Sequence, residues 1–179
     1  MTVTAKPSKI FTPKRPHADV LGANALGVQA ESTDDLVRAI EKGLPFKSLE
    51  NVAAALFITG IVLIGSAIRT GKTDGKKASE SLWAAGLMLA VLIGMSESTY
   101  QRRKKEDRLT PGESEGVYRY AALLERANTV YGNGENARVW LNSTVRALGN
   151  RVPLEYARTE PGANLVMQML GRLEHGSYS

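Results

Sequence analysis

Few residues in this chain have the type and spacing that chemistry requires. Gly65 and the later Gly71-Lys72-Thr73, following the apolar Ile61-Val62-Leu63-Ile64, approach the pattern of a phosphate-binding loop. That loop needs four residues between its first glycine and the Gly-Lys pair, and Ser66 to Thr70 make five. The extra residue disrupts the ring of backbone amides that cradles phosphate, so a nucleotide site is rejected. His17 lies near the N-terminus and His175 is four residues from the C-terminus, and no HExxH, paired-carboxylate or nucleophile-elbow pattern surrounds them. With no cysteine there is no disulfide, thiolate metal site or sulfur nucleophile. Glu174 beside His175 reads as a pair of binding residues rather than an acid and a base. The expectation is a protein without catalytic residues, metal or cofactor.

The second chemical candidate is cationic. Arg102-Arg103-Lys104-Lys105, with Arg108 nearby, follows Gly94-Met95-Ser96-Glu97-Ser98-Thr99-Tyr100-Gln101. Ser96 is placed to cap a helix whose first turns carry Ser98, Thr99, Gln101 and Arg102. A recognition helix sets such side chains at base edges, and the cations after them neutralise phosphates. The plain alternative is a solvated basic face. A formal charge of +5 and a pI near 9.5 suit nucleic acid or an acidic protein partner equally.

The elements that must position these residues read as helices. Residues 1–25 carry Lys6, Lys9, Lys14 and Arg15 among Pro7, Pro13 and Pro16, and read as a loose basic tail. Thr33 is placed to cap a helix with Asp34 and Asp35 in its first turn and Leu36, Val37 and Ile40 on one face. A second helix is expected from about Ser48 through Leu49, Val52, Ala53 and Leu56. Thr110-Pro111-Gly112-Glu113 supplies an N-cap, a proline at the first helical position and the glutamate of a capping box. Val117, Tyr120, Leu123, Leu124 and Ala127 follow at helical spacing, ending near Gly132. A helix with Ala137, Trp140 and Leu141 comes next, with Trp140 in the core. The last helix follows Thr159 and is expected to bury Leu165, Val166, Met169, Leu170 and Leu173. No stretch alternates like a strand, so the fold class is all-α.

The middle of the chain departs from this pattern. Asn51 to Ile68 is eighteen residues without a charge, and Ser81 to Ser96 is sixteen. Eighteen helical residues reach about 27 Å, against a hydrocarbon core of roughly 30 Å. Arg38, Lys42 and Lys47 on one side and Arg102 to Lys105 and Arg108 on the other outnumber the cations of the intervening turn. That asymmetry favours a hairpin with both ends inside. Two readings stand: a membrane hairpin through 51–68 and 81–96, or a buried helical pair in a soluble dimer.

The C-terminal residues carry a resemblance. Ala137-Arg138-Val139-Trp140-Leu141-Asn142-Ser143, Ala147-Leu148-Gly149-Asn150-Arg151-Val152-Pro153-Leu154-Glu155, Thr159-Glu160-Pro161-Gly162 and Leu170-Gly171-Arg172-Leu173-Glu174-His175-Gly176-Ser177-Tyr178-Ser179 run in order. This series resembles the C-terminal toxin-binding domain of Xre/MbcA/ParS-type antitoxins, whose partner is often a RES-domain enzyme that destroys NAD. Gly94 to Arg103 looks like the second half of that family's helix-turn-helix, and Gly43 to Leu56 is similar to its lead into that unit. In the family a short turn and one helix join the two. Here Phe57 to Ile93 intervenes, so the scaffold helix is expected to be replaced or interrupted.

The resemblance implies an interrupted helix-turn-helix-like N-terminal unit and a small helical toxin-binding domain. The expected divisions are a disordered tail at 1–25, a helical unit at 26–108 with an apolar hairpin insert at 57–93, and the toxin-binding domain at 109–179. It implies occlusion of a RES-type toxin by Arg172, Glu174, His175, Gly176, Tyr178 and Ser179. It assigns operator DNA and autorepression to Ser96, Ser98, Thr99, Gln101, Arg102, Arg103, Lys104 and Lys105. A homodimer in the cytoplasm is the expected form. The competing classes are an inner-membrane hairpin with cytoplasmic basic ends, a stand-alone DNA-binding regulator, and a recombined or artificial antitoxin carrying a foreign insert.

Overall fold

The computed structural model describes residues 20–57 and 75–174. Residues 20–25, expected in the loose tail, begin the fold instead: α1 (Ala23–Leu26) buries Ala23 and Leu26. The α2 helix (Thr33–Glu41) is capped by Ser32 rather than Thr33. Ser32 has the extended backbone of a cap and its Oγ accepts from Asp35 N–H at 3.1 Å. Leu36 and Ile40 of α2 are buried, whereas Val37 is exposed. The α3 helix (Phe46–Phe57) starts two residues before the expected Ser48 and buries Phe46, Leu49, Val52, Ala53 and Leu56.

The second uncharged run is the helix α4 (Gly75–Leu92), which packs along α3. Ala85, Leu89 and Ala90 are buried, while Trp83, Met88 and Val91 are exposed on another face. The turn after it is a Schellman motif: Met95 N–H reaches Ala90 O at 2.8 Å and Gly94 N–H reaches Val91 O at 3.1 Å. Gly94 has φ +79°, which a side chain would oppose. The next helix, α5 (Glu97–Glu106), leaves at 113° to α4. A short glycine-containing turn between helices at that angle is the geometry of a helix-turn-helix. The α4 helix, within the stretch where the scaffold helix was expected to be replaced or interrupted, packs on both α3 and α5. Residues 58–74 of the expected insert lie outside the described residues.

The α4–α5 corner is close-packed. A Cβ built on Gly86 would lie 2.2 Å from Tyr100 Oη, so only glycine admits this ring. Tyr100 is fully buried and meets Phe46 edge-on, with ring centroids 5.0 Å apart. Burial, and secondarily the charge of Glu50, pushes its phenol pKa up to about 12.

The helix α6 (Pro111–Tyr131) forms as its sequence dictates, with Pro111 at the first position and a complete Thr110–Glu113 capping box. All five of its expected apolar positions, Val117, Tyr120, Leu123, Leu124 and Ala127, are buried. Around it pack α1, α2, α3, α7 (Gly134–Asn142) and α9 (Glu160–Glu174). Between α7 and α9 lie a 3-10 turn (Arg146–Leu148) and the short α8 (Pro153–Tyr156). Trp140 is half-buried against Tyr131. The described residues contain isolated bridges, Pro45–Arg108 and Val145–Arg151, and no strand. The molecule is all-α. Among the described residues no single helix is long and apolar enough to cross a membrane.

Replacing Gly86 with alanine is expected to cost about 1–3 kcal/mol through overpacking against Tyr100. Adding Tyr100→Phe, which removes the opposing hydroxyl, should recover part of that loss. Urea denaturation of the two single variants and the double variant measures the coupling. Strictly additive effects would contradict the contact.

Candidate functional site

The basic helix presents one coherent outward face. Ser98, Gln101, Arg102 and Lys105 follow the i, i+3, i+4, i+7 spacing of one helical side, and all are exposed. Tyr100 and Arg103 point the other way, into the protein. Ser96 is occupied as the cap: its Oγ accepts from Thr99 N–H at 3.2 Å and lies within 3.0 Å of Ser98 Oγ and 2.9 Å of Thr99 Oγ1. Lys104 approaches Glu50 at 3.6 Å. Of the eight residues expected on this surface, four form the open face, and the other four cap, brace or turn inward. Neither Arg102 nor Lys105 forms an ion pair among the described residues.

Arg103 joins the corner to the central helix. Its Nε donates to both carboxylate oxygens of Glu113, at 2.8 and 3.1 Å, and its Nη1 donates to Glu106 at 2.6 Å. The Arg103 side chain is only 16% exposed, so it braces α5 and leaves the outward face to its neighbours. Glu113 also accepts from Thr110 N–H at 2.7 Å. Burial alone would raise the Glu113 pKa. The hydrogen bonds from Thr110 and Arg103 outweigh it and hold the carboxyl below its ordinary range. The capping role of Glu113 is legible in the sequence; its second partner, ten residues upstream, is not.

The C-terminal end is organised on α6. Tyr120 Oη donates to Leu154 O at 3.1 Å, tying α6 to α8, and burial pushes its pKa up to about 12. Asn142 Nδ2 donates to Leu56 O at 3.1 Å, tying α7 to the end of α3. Helix α9 starts where Gly162 packs against the Tyr156 carbonyl, a contact so close that a Cβ would meet the oxygen at 1.9 Å. Ala163, Val166 and Leu170 face inward at i, i+3, i+7. That register leaves Leu165 at 46% exposure, correcting its expected burial, with Met169 and Leu173 half-buried.

Arg172 is exposed on the last turn of α9, while Glu174 is ion-paired to Arg126 of α6. His175, Gly176, Tyr178 and Ser179 lie outside the described residues. A groove of about 650 Å³ runs between the α4–α5 turn and the α8–α9 junction. Its walls include Gly94, Arg151, Glu155, Tyr156, Arg158 and Leu165, with the Arg151 guanidinium 4.7 Å from the centre of the Tyr156 ring. Sequence reasoning did not single out this groove, because its walls come from distant segments. Among the described residues no group of three or more His, Cys, Asp or Glu side chains could hold a metal ion.

The Glu113 contacts set a pH dependence. A carboxyl whose pKa falls on folding stabilises the fold above its ordinary value of 4.5, and the contribution is lost as pH drops through the folded value. Glu113→Gln keeps a capping side chain and removes the charge. The stability gap between parent and variant should be full at neutral pH and close on acidification below about 4.5. Urea titrations at a series of pH values measure it, and a gap independent of pH would contradict the Arg103–Glu113 account.

Comparisons with known proteins identify relatives of the chain. The model of the antitoxin Xre/MbcA/ParS C-terminal toxin-binding domain matches residues 126–176, beginning partway along α6. Antitoxin Xre of Yersinia enterocolitica is 33% identical over 124 residues, covering 67% of this chain and 83% of that protein. Antitoxin Xre of Photorhabdus laumondii is 31% identical over 90 residues, covering 49% of this chain and 61% of that protein. That 33% identity over 83% of the Yersinia antitoxin, together with the matched toxin-binding domain, places the chain in the Xre/MbcA/ParS family of antitoxins.

Proposed function

We propose that this antitoxin neutralises a RES-type, NAD-degrading toxin by occluding its active site with the chain end, and does no chemistry of its own. The observation that carries the reading is the placement of α9, whose last turn is fixed on α6 immediately before the final residues. A short segment leaving a packed helix enters a concave site at little further entropic cost. Arg172, His175, Gly176, Tyr178 and Ser179 are its contact residues. Glu174 is a contact residue too, and within this chain it is ion-paired to Arg126.

A second role is operator binding and autorepression, supported by the 113° corner and the outward Ser98, Gln101, Arg102 and Lys105. A two-fold dimer would present two such helices to two half-sites. The exposed Trp83, Met88 and Val91 on α4 support a second copy as the partner of that face.

Growth rescue tests the first role. The full chain should restore growth to cells expressing a RES-type toxin, and a chain ending at Leu173 should not. Rescue by the truncated chain would remove the terminal segment from the mechanism.

For the second role, Arg102→Ala or Lys105→Ala should weaken operator binding. If the lost contact is to phosphate, the slope of log affinity against log salt should fall by about 1. Fluorescence anisotropy across a salt series reads this, and unchanged affinity in both variants would exclude the face.

A further inference from the structure

We infer that Glu50 limits how many cations of the basic face reach DNA phosphates, by keeping either Lys47 or Lys104 for itself. The inference rests on the reading that this face binds operator DNA, and it adds the residue that sets the face's phosphate count.

Glu50 lies on α3 and faces the edge of α5. One of its carboxylate oxygens accepts from Lys47 Nζ at 3.2 Å, and the other meets Lys104 Nζ at 3.6 Å. Both lysines belong to the rim of the outward face. Lys104 follows Gln101 at i+3, so it flanks the side that carries Ser98, Gln101, Arg102 and Lys105. Lys47 stands in the first turn of α3, and that turn is tied to the end of α5. Phe46 N–H donates to Asp107 O at 3.4 Å, and Leu109 N–H donates to Leu44 O at 2.9 Å.

The three side chains are unequally exposed, and the inequality decides which of them depends on the pairing. Glu50 is 15% exposed, against 64% for Lys47 and 46% for Lys104. Lysines that open stay hydrated with or without a carboxylate beside them, and such pairs add little for them. A shielded carboxylate with no cation has lost water without compensation. Glu50 therefore needs one cation and is offered two. When a phosphate draws one lysine away, the other stays. The pair then supplies one phosphate contact rather than two, beside Arg102 and Lys105. Fewer phosphate contacts weaken binding to every sequence, so base contacts carry a larger share of the affinity.

The test measures binding of the full chain to a labelled random-sequence duplex, by fluorescence anisotropy across a salt series. Glu50→Gln should tighten binding and steepen the slope of log affinity against log salt by about 1, one further phosphate. Lys47→Gln and Lys104→Gln should each make the slope shallower by about 1, because Glu50 then keeps the lysine that remains. Adding either substitution to Glu50→Gln should restore the parent slope. Glu135→Gln makes the same change in net charge on α7, beyond the far end of α6 and outside the reach of screened charge. It should leave the slope unchanged. In the free protein, removing both lysines should lower the urea midpoint by more than the two single losses combined. That excess should vanish when Glu50 is replaced by glutamine, a readout independent of any DNA.

If Arg102→Ala and Lys105→Ala both leave binding unchanged, the operator reading fails and the inference falls with it. If they weaken binding while Glu50→Gln leaves the slope where it was, Glu50 withholds no cation. An equal gain from Glu135→Gln would reduce the effect to net charge. Strictly additive lysine losses in urea would show that Glu50 needs neither partner.

Discussion

The burial of α6 is the constraint on which the rest of this molecule depends. Its 21 residues are capped at both ends and present Val117, Tyr120, Leu123, Leu124 and Ala127 inward, and five other helices lean on it. Each Val, Leu or Tyr so buried contributes on the order of 1.5–3 kcal/mol, and no smaller element offers a comparable stripe. The helix is also a ruler. From Glu113, which braces the basic corner through Arg103, to Arg126, which holds the end of α9, the rise is about 20 Å. The brace of the basic helix and the seat of the last turn of α9 therefore lie on one continuous helix.

Much of this was legible in the sequence because the signals were local. The capping box and Pro111 of α6, its glycine stop, and its apolar stripe each lie within a few residues of the feature they determine. The cap moved from Thr33 to Ser32 because both carry a hydroxyl, and only the backbone conformation distinguishes them. Leu165 was misjudged because a helical stripe drawn from composition admits two registers. The seat of Ala163 and Gly162, against α6 and the Tyr156 carbonyl, selects one. What sequence could not supply were pairings between separate elements: Arg103 with Glu113, Arg126 with Glu174, and Tyr100 with Gly86.

The same pairings change how the candidate site is understood. A run of four cations looked uniform, yet Arg103 is an internal brace and Lys104 leans on Glu50, so the outward face is narrower and more regular than the run. Glu174, expected as a contact, is ion-paired to Arg126. In the middle of the chain a mostly uncharged stretch left two readings open, a membrane hairpin and a buried helical pair. Its second half packs on both α3 and α5, with Trp83, Met88 and Val91 left on the far side. Lack of charge along a segment reports burial or association, and the backbone around it decides which.

Occlusion of the toxin's active site is the central claim, and inhibition kinetics test it most directly. A purified RES-type toxin would be titrated with the full chain at several NAD concentrations. The account predicts inhibition that NAD opposes, with the apparent inhibition constant rising linearly with substrate concentration. Tight binding with NAD hydrolysis unchanged, or inhibition indifferent to NAD concentration, would place the contact away from the active site and contradict the account.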